Sequence, residues 1–322
     1  MPAIPKPTIK RLAGLVLLGL LFSLLYLFWD WTELPDFLWL LRQQKLFSYT
    51  LVAIATAFAT ISFQTVTGNR LLSPNLLGLE SLFVLIQTAT IFFSHSLLAQ
   101  QLGPLAEFGV SLGIQLLFFL LLQPVLNRFL EQDLILILLT CMALGTLFRS
   151  LSIFLQVLLD PNEFDQLQAK LLPSFQRINL PVLGLAAVLI VLASIYLLKK
   201  ASLLDLLALD LETAGLLGVQ TQLVQKQVLW AVVLLVASST ALVGPLLFFG
   251  FLVSNLSYLF LSDYHHSWLF PIASLIGFCL LVFSQFLSEQ VFQLQIPSNQ
   301  LIEVIGGSLF FYLVYKENTK HD

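Results

Sequence analysis

Charge is scarce in this sequence. Asp, Glu, Lys and Arg make up only 10% of its 322 residues, against 58% hydrophobic ones; a soluble domain carries roughly 25% charged residues. Such a chain cannot cover a folded surface with polar groups, which excludes a water-soluble globular protein. The mean hydropathy of +0.92 states the same imbalance. The charges sum to −3 and fall in short connecting segments, with no basic cluster of the kind that binds nucleic acid. Cysteine is nearly absent too. Cys141 and Cys279 lie in separate apolar runs, without the spacing of a disulfide framework or a metal site, and read as small packing residues. His-Glu-x-x-His, Gly-x-Ser-x-Gly and paired intramembrane aspartates are missing. Nothing converges on an acid, a base or a metal, so no catalysis, cofactor or bound metal is expected. No Gly-x-x-x-x-Gly-Lys-Ser/Thr phosphate loop occurs, so energised work would draw on a partner's ATP or on an ion gradient.

Long apolar runs take the place of charge. A helix crossing hydrocarbon needs about 20 apolar residues. Runs near that length cover 12–29, 46–67, 76–94, 104–126, 134–154, 180–198, 227–243, 246–261, 268–287 and 300–315, ten in all. The expected fold is therefore an all-α integral membrane protein of about ten transmembrane helices, with 1–322 as a single domain. The first run follows Lys6, Lys10 and Arg11 as a signal peptide would, but the bulky Trp29-Asp30-Trp31 is no cleavage site, so the run reads as a retained span. Proline removes a backbone donor, and in lipid a broken helix survives only where protein or a water-filled cavity surrounds it. The breaks at Ser73-Pro74 and Gly244-Pro245 therefore point to a pathway. With the amino terminus inside, ten basic residues (Lys6, Lys10, Arg11, Arg70, Arg128, Lys199, Lys200, Lys226, Lys316 and Lys320) fall on the inner side and four (Arg42, Lys45, Lys170 and Arg177) on the outer. That excess places both termini in the cytoplasm.

Three connections are too long for turns: 30–45 and 155–179 outside, 201–225 inside. The inner one spaces Leu203, Leu206, Leu207 and Leu211 at helical intervals, while Asp205, Asp210 and Glu212 make it a poor span; short helices at the cytoplasmic surface are expected there. Small residues at Ala53, Ala55, Ala57 and Ala59, and Gly109-x-x-x-Gly113, predict close helix packing. His265 and His266 beside Asp263 read as solvated, and His95 and His321 stand apart. Ion-coupled carriers keep carboxylates within their spans, whereas Glu80, Glu107 and Glu289 lie near span ends.

Several blocks then occur in a telling order. Ala214-Gly215-Leu216-Leu217-Gly218 closes the inner segment, with Asp210 upstream. Gln64-Thr-Val-Thr-Gly68-Asn69-Arg70-Leu-Leu-Ser73-Pro74-Asn75-Leu-Leu-Gly78 follows the second run. Gly244-Pro245-Leu-Leu-Phe-Phe-Gly250 opens the eighth, and Ile305-Gly-Gly-Ser-Leu-Phe-Phe-Tyr-Leu313 lies in the tenth. In this order, from about Leu12 to Tyr315, the chain resembles the permeases of type II ATP-binding-cassette importers, the iron-chelate and cobalamin group. Asp160-Pro-Asn-Glu163-Phe and Gln285-Phe-Leu-Ser-Glu289 resemble the subgroup that imports iron bound to catecholate-type siderophores.

The resemblance implies a non-catalytic permease subunit of the bacterial plasma membrane. Its implied partners are two ATPase subunits, a second permease copy or paralogue, and an extracytoplasmic siderophore-binding protein. It assigns ATPase coupling to Asp205, Asp210, Glu212, Ala214, Gly215, Leu217 and Gly218. It assigns binding-protein docking to Arg42, Lys45, Asp160 and Glu163, although Arg42 and Lys45 read equally well, by residue type, as anchors of a helix end. The translocation pathway falls to Gln64, Asn69, Pro74, Thr140, Gly145, Arg149, Gly244 and Pro245. Arg149, a guanidinium inside a span, either favours passage of an anionic chelate or snorkels to the outer surface. The same machine carrying haem or cobalamin, and an ion-coupled secondary carrier, remain as alternative readings.

Overall fold

Backbone polar groups in hydrocarbon find partners only within the protein, which selects helices, and each of the ten apolar runs is occupied by one. The computed structural model describes residues 6–29, 36–93, 103–129, 134–173, 175, 179–261, 265–294 and 296–321; Asp30, His95, Arg177 and Asp263 lie outside them. The ten are α1 (Lys6–Phe28), α2 (Asp36–Thr67), α3 (Leu79–Phe92), α4 (Pro104–Phe129), α5 (Leu134–Val157), α7 (Leu180–Lys199), α10 (Thr221–Val243), α11 (Phe249–Phe260), α12 (His266–Phe286) and α13 (Ser298–His321). Among them lie α6 (Pro161–Leu171), which follows α5, and the short pair α8 (Ala201–Leu207) and α9 (Leu211–Leu216) between α7 and α10. The pair occupies the inner connection, as its leucine spacing predicts.

Among the described residues, six helices are long and apolar enough to cross a bilayer, and Leu12–Phe28, Leu79–Phe92 and Phe249–Phe260 are shorter apolar helices. Two shortfalls come from the breaks. Pro74–Leu77 forms one 3₁₀ turn and Gly78 takes a φ of +77°, so α3 keeps only 14 residues of its run. Gly244, with φ +93°, ends α10, and α11 has 12 residues. At the other extreme, α2 begins ten residues before its apolar run. Leu38, Trp39, Leu40 and Leu41 continue the helix there, so Arg42 and Lys45 sit within it rather than in a loop.

The centre of the molecule is α2. Ala53, Ala55, Ala57 and Ala59 are all buried; since residues two apart on a helix point to nearly opposite sides, α2 is enclosed on every side along this stretch. It packs against α12, α10, α7 and α11. Gly277 of α12 lets two backbones approach: a Cβ there would stand 3.2 Å from Val253 Cγ2 and 3.3 Å from both Ala53 Cβ and Phe249 Cζ. Phe58 and Phe270 stack on the same seam, 4.3 Å between ring centroids. The glycine pair of α4 behaves otherwise. A Cβ at Gly109 or Gly113 would meet nothing within 4 Å, so this spacing does not serve packing inside the chain. The reason is position, since both lie on the outward face beside Val110, Ile114 and Leu117.

Filling the α2–α12 seam tests this arrangement. Gly277→Val should destabilise the chain by about 1–3 kcal/mol, the usual range for overpacking, while Gly184→Ala, whose Cβ enters open space, should be neutral. Thermal unfolding in detergent compares the two; equal midpoints would place the tight seam elsewhere.

Candidate functional site

The two breaks meet. At the first, Gln64 is buried and its Nε2 donates to Arg70 O at 2.6 Å and to Ser254 Oγ at 3.1 Å. Asn69 Oδ1 accepts from Leu71 N at 2.9 Å, and Pro74 starts the 3₁₀ turn where its missing N–H is no loss. Gly78 is pressed against α5, its would-be Cβ 3.2 Å from Cys141 O and from Gly145 Cα. At the second break, Gly244 approaches Pro173 just as closely, at 3.2 Å from its Cα, and Pro245 is half-buried. Asn75 Nδ2 donates to Leu247 O at 2.6 Å, joining one break to the other. Pro74 and Gly244 thus line a single cavity of about 30 Å³ between α2, α3, α10 and α11. Gln64 and Asn69 hold the turn leading to it.

The α8–α9 pair is tied to the spanning helices by a polar relay. Asp205 Oδ1 accepts from the His266 backbone N–H at 2.7 Å and lies 2.6 Å from His266 Nδ1. His266 Nε2 lies 2.7 Å from Thr65 Oγ1, which donates to Ile61 O. Burial pushes the Asp205 carboxyl up, but the His266 side-chain and backbone hydrogen bonds and the nearby His266 and His265 rings outweigh it, leaving the carboxyl below its ordinary range. His266, expected to be solvated, is instead 2% exposed; a neighbouring histidine and a polar loop give no hint of a tertiary partner 61 residues away. Of the other coupling candidates, Ala214 is buried, whereas Asp210, Glu212, Gly215, Leu217 and Gly218 are exposed. Asp210 has φ 179°, an extended value that needs no glycine, while Gly218, at φ +84°, requires one. Leu209, Leu216 and Leu217 stand 70%, 90% and 62% exposed, an apolar surface with acidic neighbours.

The opposite end holds a second relay. Lys45 is nine-tenths buried and its Nζ donates to Glu289 Oε1 at 2.7 Å. Gln285 Nε2 also donates to that oxygen at 2.8 Å, and Tyr26, edge-on to Tyr49, points its hydroxyl there at 3.4 Å. Glu289 sits in a π-helical turn, Leu287–Val291, that extends α12. Arg42 donates to Leu27 O at 3.1 Å and Trp29 O at 2.8 Å, closing the carboxy-terminal end of α1. Its geometry is that of a helix-end anchor, and Lys45 is turned inward. Asp160 is exposed at the start of α6, its N–H bonded to Glu163 Oε2 at 3.3 Å. This segment reaches the Lys45 end through Phe175, whose ring packs 4.6 Å from Tyr49. Tyr26, Glu289 and Thr65 carried no signal of these roles beyond being polar residues in or beside apolar runs.

The α5 candidates divide between faces. Gly145 lies on the inner face with Cys141 and Ser152, against the first break, while Arg149 is exposed on the outward stripe of Met142, Thr146 and Ile153; Thr140 is half-buried. They are not brought to one place.

A joined pair of helix breaks, with a surface helix pair wired to the same bundle, suits a body that changes shape around a path. Likenesses to known proteins agree. The chain is 39% identical over 313 residues to a petrobactin import system permease protein of Bacillus subtilis (strain 168), covering 96% of this chain and 98% of that one. It is 33% identical over 267 residues to a petrobactin import system permease protein of Bacillus anthracis, covering 83% and 75%. A solved inward-facing structure, assigned as a metal-chelate type ABC transporter, superposes with a TM-score of 0.83 at 26% identity, over 96% of this chain and 99% of that one. The pattern of the FecCD transport family matches residues 13–316, and this all-helical, multi-pass membrane protein belongs to that family.

Proposed function

We propose that the chain is the permease subunit of an ATP-driven importer that carries a ferric siderophore across the bacterial plasma membrane. The observation that carries this reading is the relay from α8 to the spanning bundle. A surface helix pair with exposed leucines is hydrogen-bonded through Asp205 and His266 to both α12 and α2, so a push on the pair moves the helices that wall the breaks. Contiguous exposed apolar surface beside charges marks a docking site, and an ATPase is its occupant. ATP hydrolysis then lies in two separate subunits, and alternating access follows as their closure shifts the balance between two conformations. A second permease, identical or paralogous, completes the translocating unit. The amino and carboxyl termini and the α8–α9 pair face the cytoplasm, as the distribution of basic residues supports. The cargo reading rests on the two relatives named for petrobactin import and favours a catecholate-type chelate.

On this reading the path runs by Pro74, Gly244 and Pro245, with Gln64 and Asn69 at its inner turn; of the α5 candidates, Gly145 braces the first break, and Thr140 and Arg149 serve the path where the second permease faces α5. The binding protein docks on the outer end, on Asp160 and Glu163 at the start of α6 and on the segment that Arg42 and Lys45 organise. Arg42 fixes the end of α1, and Lys45 sets the tilt of α2 through Glu289.

Two measurements test these assignments. Loss of a charge-assisted hydrogen bond removes about 1.5–3 kcal/mol, so Asp205→Asn should lower ATP-driven uptake of iron-loaded siderophore roughly tenfold, with expression unchanged; normal uptake removes the relay from coupling. Asp160→Asn combined with Glu163→Gln keeps polar caps but deletes both charges. It should weaken association with the binding protein at low salt by about threefold or more, since rim charges act mainly on encounter; an affinity unaltered at low and high salt removes α6 from the docking surface.

A further inference from the structure

The cavity between the breaks contains a carboxylate to which the transport reading gives no task. Glu80, in the first turn of α3, is 8% exposed, and its Oε2 has no hydrogen-bond partner. It lines the 30 Å³ cavity together with Thr56, Thr60, Ser239 and Thr240, and no lysine, arginine or histidine is among the lining residues. Such a space has room for a small ion with a water or two. A buried ionised carboxylate without a counter-charge is strongly disfavoured, and no basic side chain among the described lining residues answers it.

We propose that Glu80 is the charged ligand of a site for one small monovalent cation, sodium or the proton, held where the two broken helices meet. The surrounding chemistry fits. Hydroxyl and carboxylate oxygens suit a hard cation, and one carboxylate balances the charge of a monovalent ion. The break at Gly244 leaves carbonyls at the end of α10 without helical partners, and unwound carbonyls and helix carboxy-terminal ends are what cation sites in broken-helix transporters use. From α13, Glu303 adds a second negative influence on Glu80. From α5, Cys141 packs behind Gly78, and α2, α10 and α11 present hydroxyls and apolar groups. A bound cation neutralises the carboxylate and lets the breaks stay closed on each other.

The test uses the full chain in lipid nanodiscs and reads its thermal unfolding midpoint, so it is independent of cargo and transport. One arm exchanges sodium for N-methylglucamine at fixed pH; the other varies pH without sodium. The wild type should shift by roughly 2–4 °C in one arm, and Glu80→Gln, which keeps the shape but not the charge, should be flat in that same arm. A response to sodium assigns sodium, and a response to pH alone assigns the proton. Identical behaviour of wild type and Glu80→Gln in both arms overturns the site. Should Glu80→Gln fail to fold, Glu80→Asp, which withdraws the carboxylate by one methylene, should displace the half-effect concentration; an undisplaced titration likewise overturns it.

Discussion

Two antiparallel helices clamped at both ends hold this molecule together. Near its start α2 offers Lys45 to Glu289, beyond the end of α12; near its finish it offers Thr65 to His266, at the beginning of α12. The clamps are 20 residues apart on α2, about 30 Å at the helical rise, and small residues such as Ala53 and Gly277 let the helices touch between them. In a bilayer, apolar side chains gain little by leaving lipid for one another, so close packing and polar contacts decide which helices associate. Here both kinds of contact fall on the same pair. The rest of the bundle, α10, α7 and α11, packs around α2.

A constraint follows for the breaks. Pro74, Leu77, Gly78 and Gly244 of the two breaks are buried, and there an unmatched carbonyl or N–H is costly. Gln64 and Asn75 answer this with side-chain amides to Arg70 O and Leu247 O. The breaks are therefore fixed features with defined partners, and the partner of each lies on or beside the other's element: Gln64 also reaches Ser254 of α11, and Asn75 reaches the turn before α11. Displacing α11 would disturb both at once. This is how a motion fed in at Asp205 can arrive at the cavity, since His266 opens α12 and α12 packs on α11 and α2.

The helices and their interruptions were legible in the sequence because both are local. Twenty apolar residues become a helix in lipid, and glycine followed by proline favours a break there, whereas α4 and α12 run through the single prolines Pro124 and Pro271. The leucine spacing of 203–211 likewise predicts α8 correctly. Side-chain partnerships were not legible, because they join residues far apart in the chain. Lys45 and Glu289 are 244 positions apart, and nothing in the neighbourhood of Lys45 distinguishes a buried clamp from an exposed docking charge. His266 beside His265 shows the same limit: one imidazole is buried and the other is at the helix cap. Gly109-x-x-x-Gly113 shows the converse, a packing motif whose face turned out to lie outward. Spacing reveals that a helix has a smooth face, and only the fold reveals what meets it.

Arg149 brings these threads together at the edge of the molecule. One face of α5 is spent on the first break, where Gly145 and Cys141 meet Gly78; the other carries Met142, Thr146, Arg149 and Ile153 outward. Most of that outward face is suited to hydrocarbon, and a guanidinium set into it is not. A helix whose inner side braces the break and whose outer side carries a charge that lipid rejects is poorly placed at a lipid boundary. A facing protein surface or the aqueous interface would take that charge out of hydrocarbon. The second permease proposed above would supply the first of these, giving α5 a protein neighbour on its outward face as well as at the break.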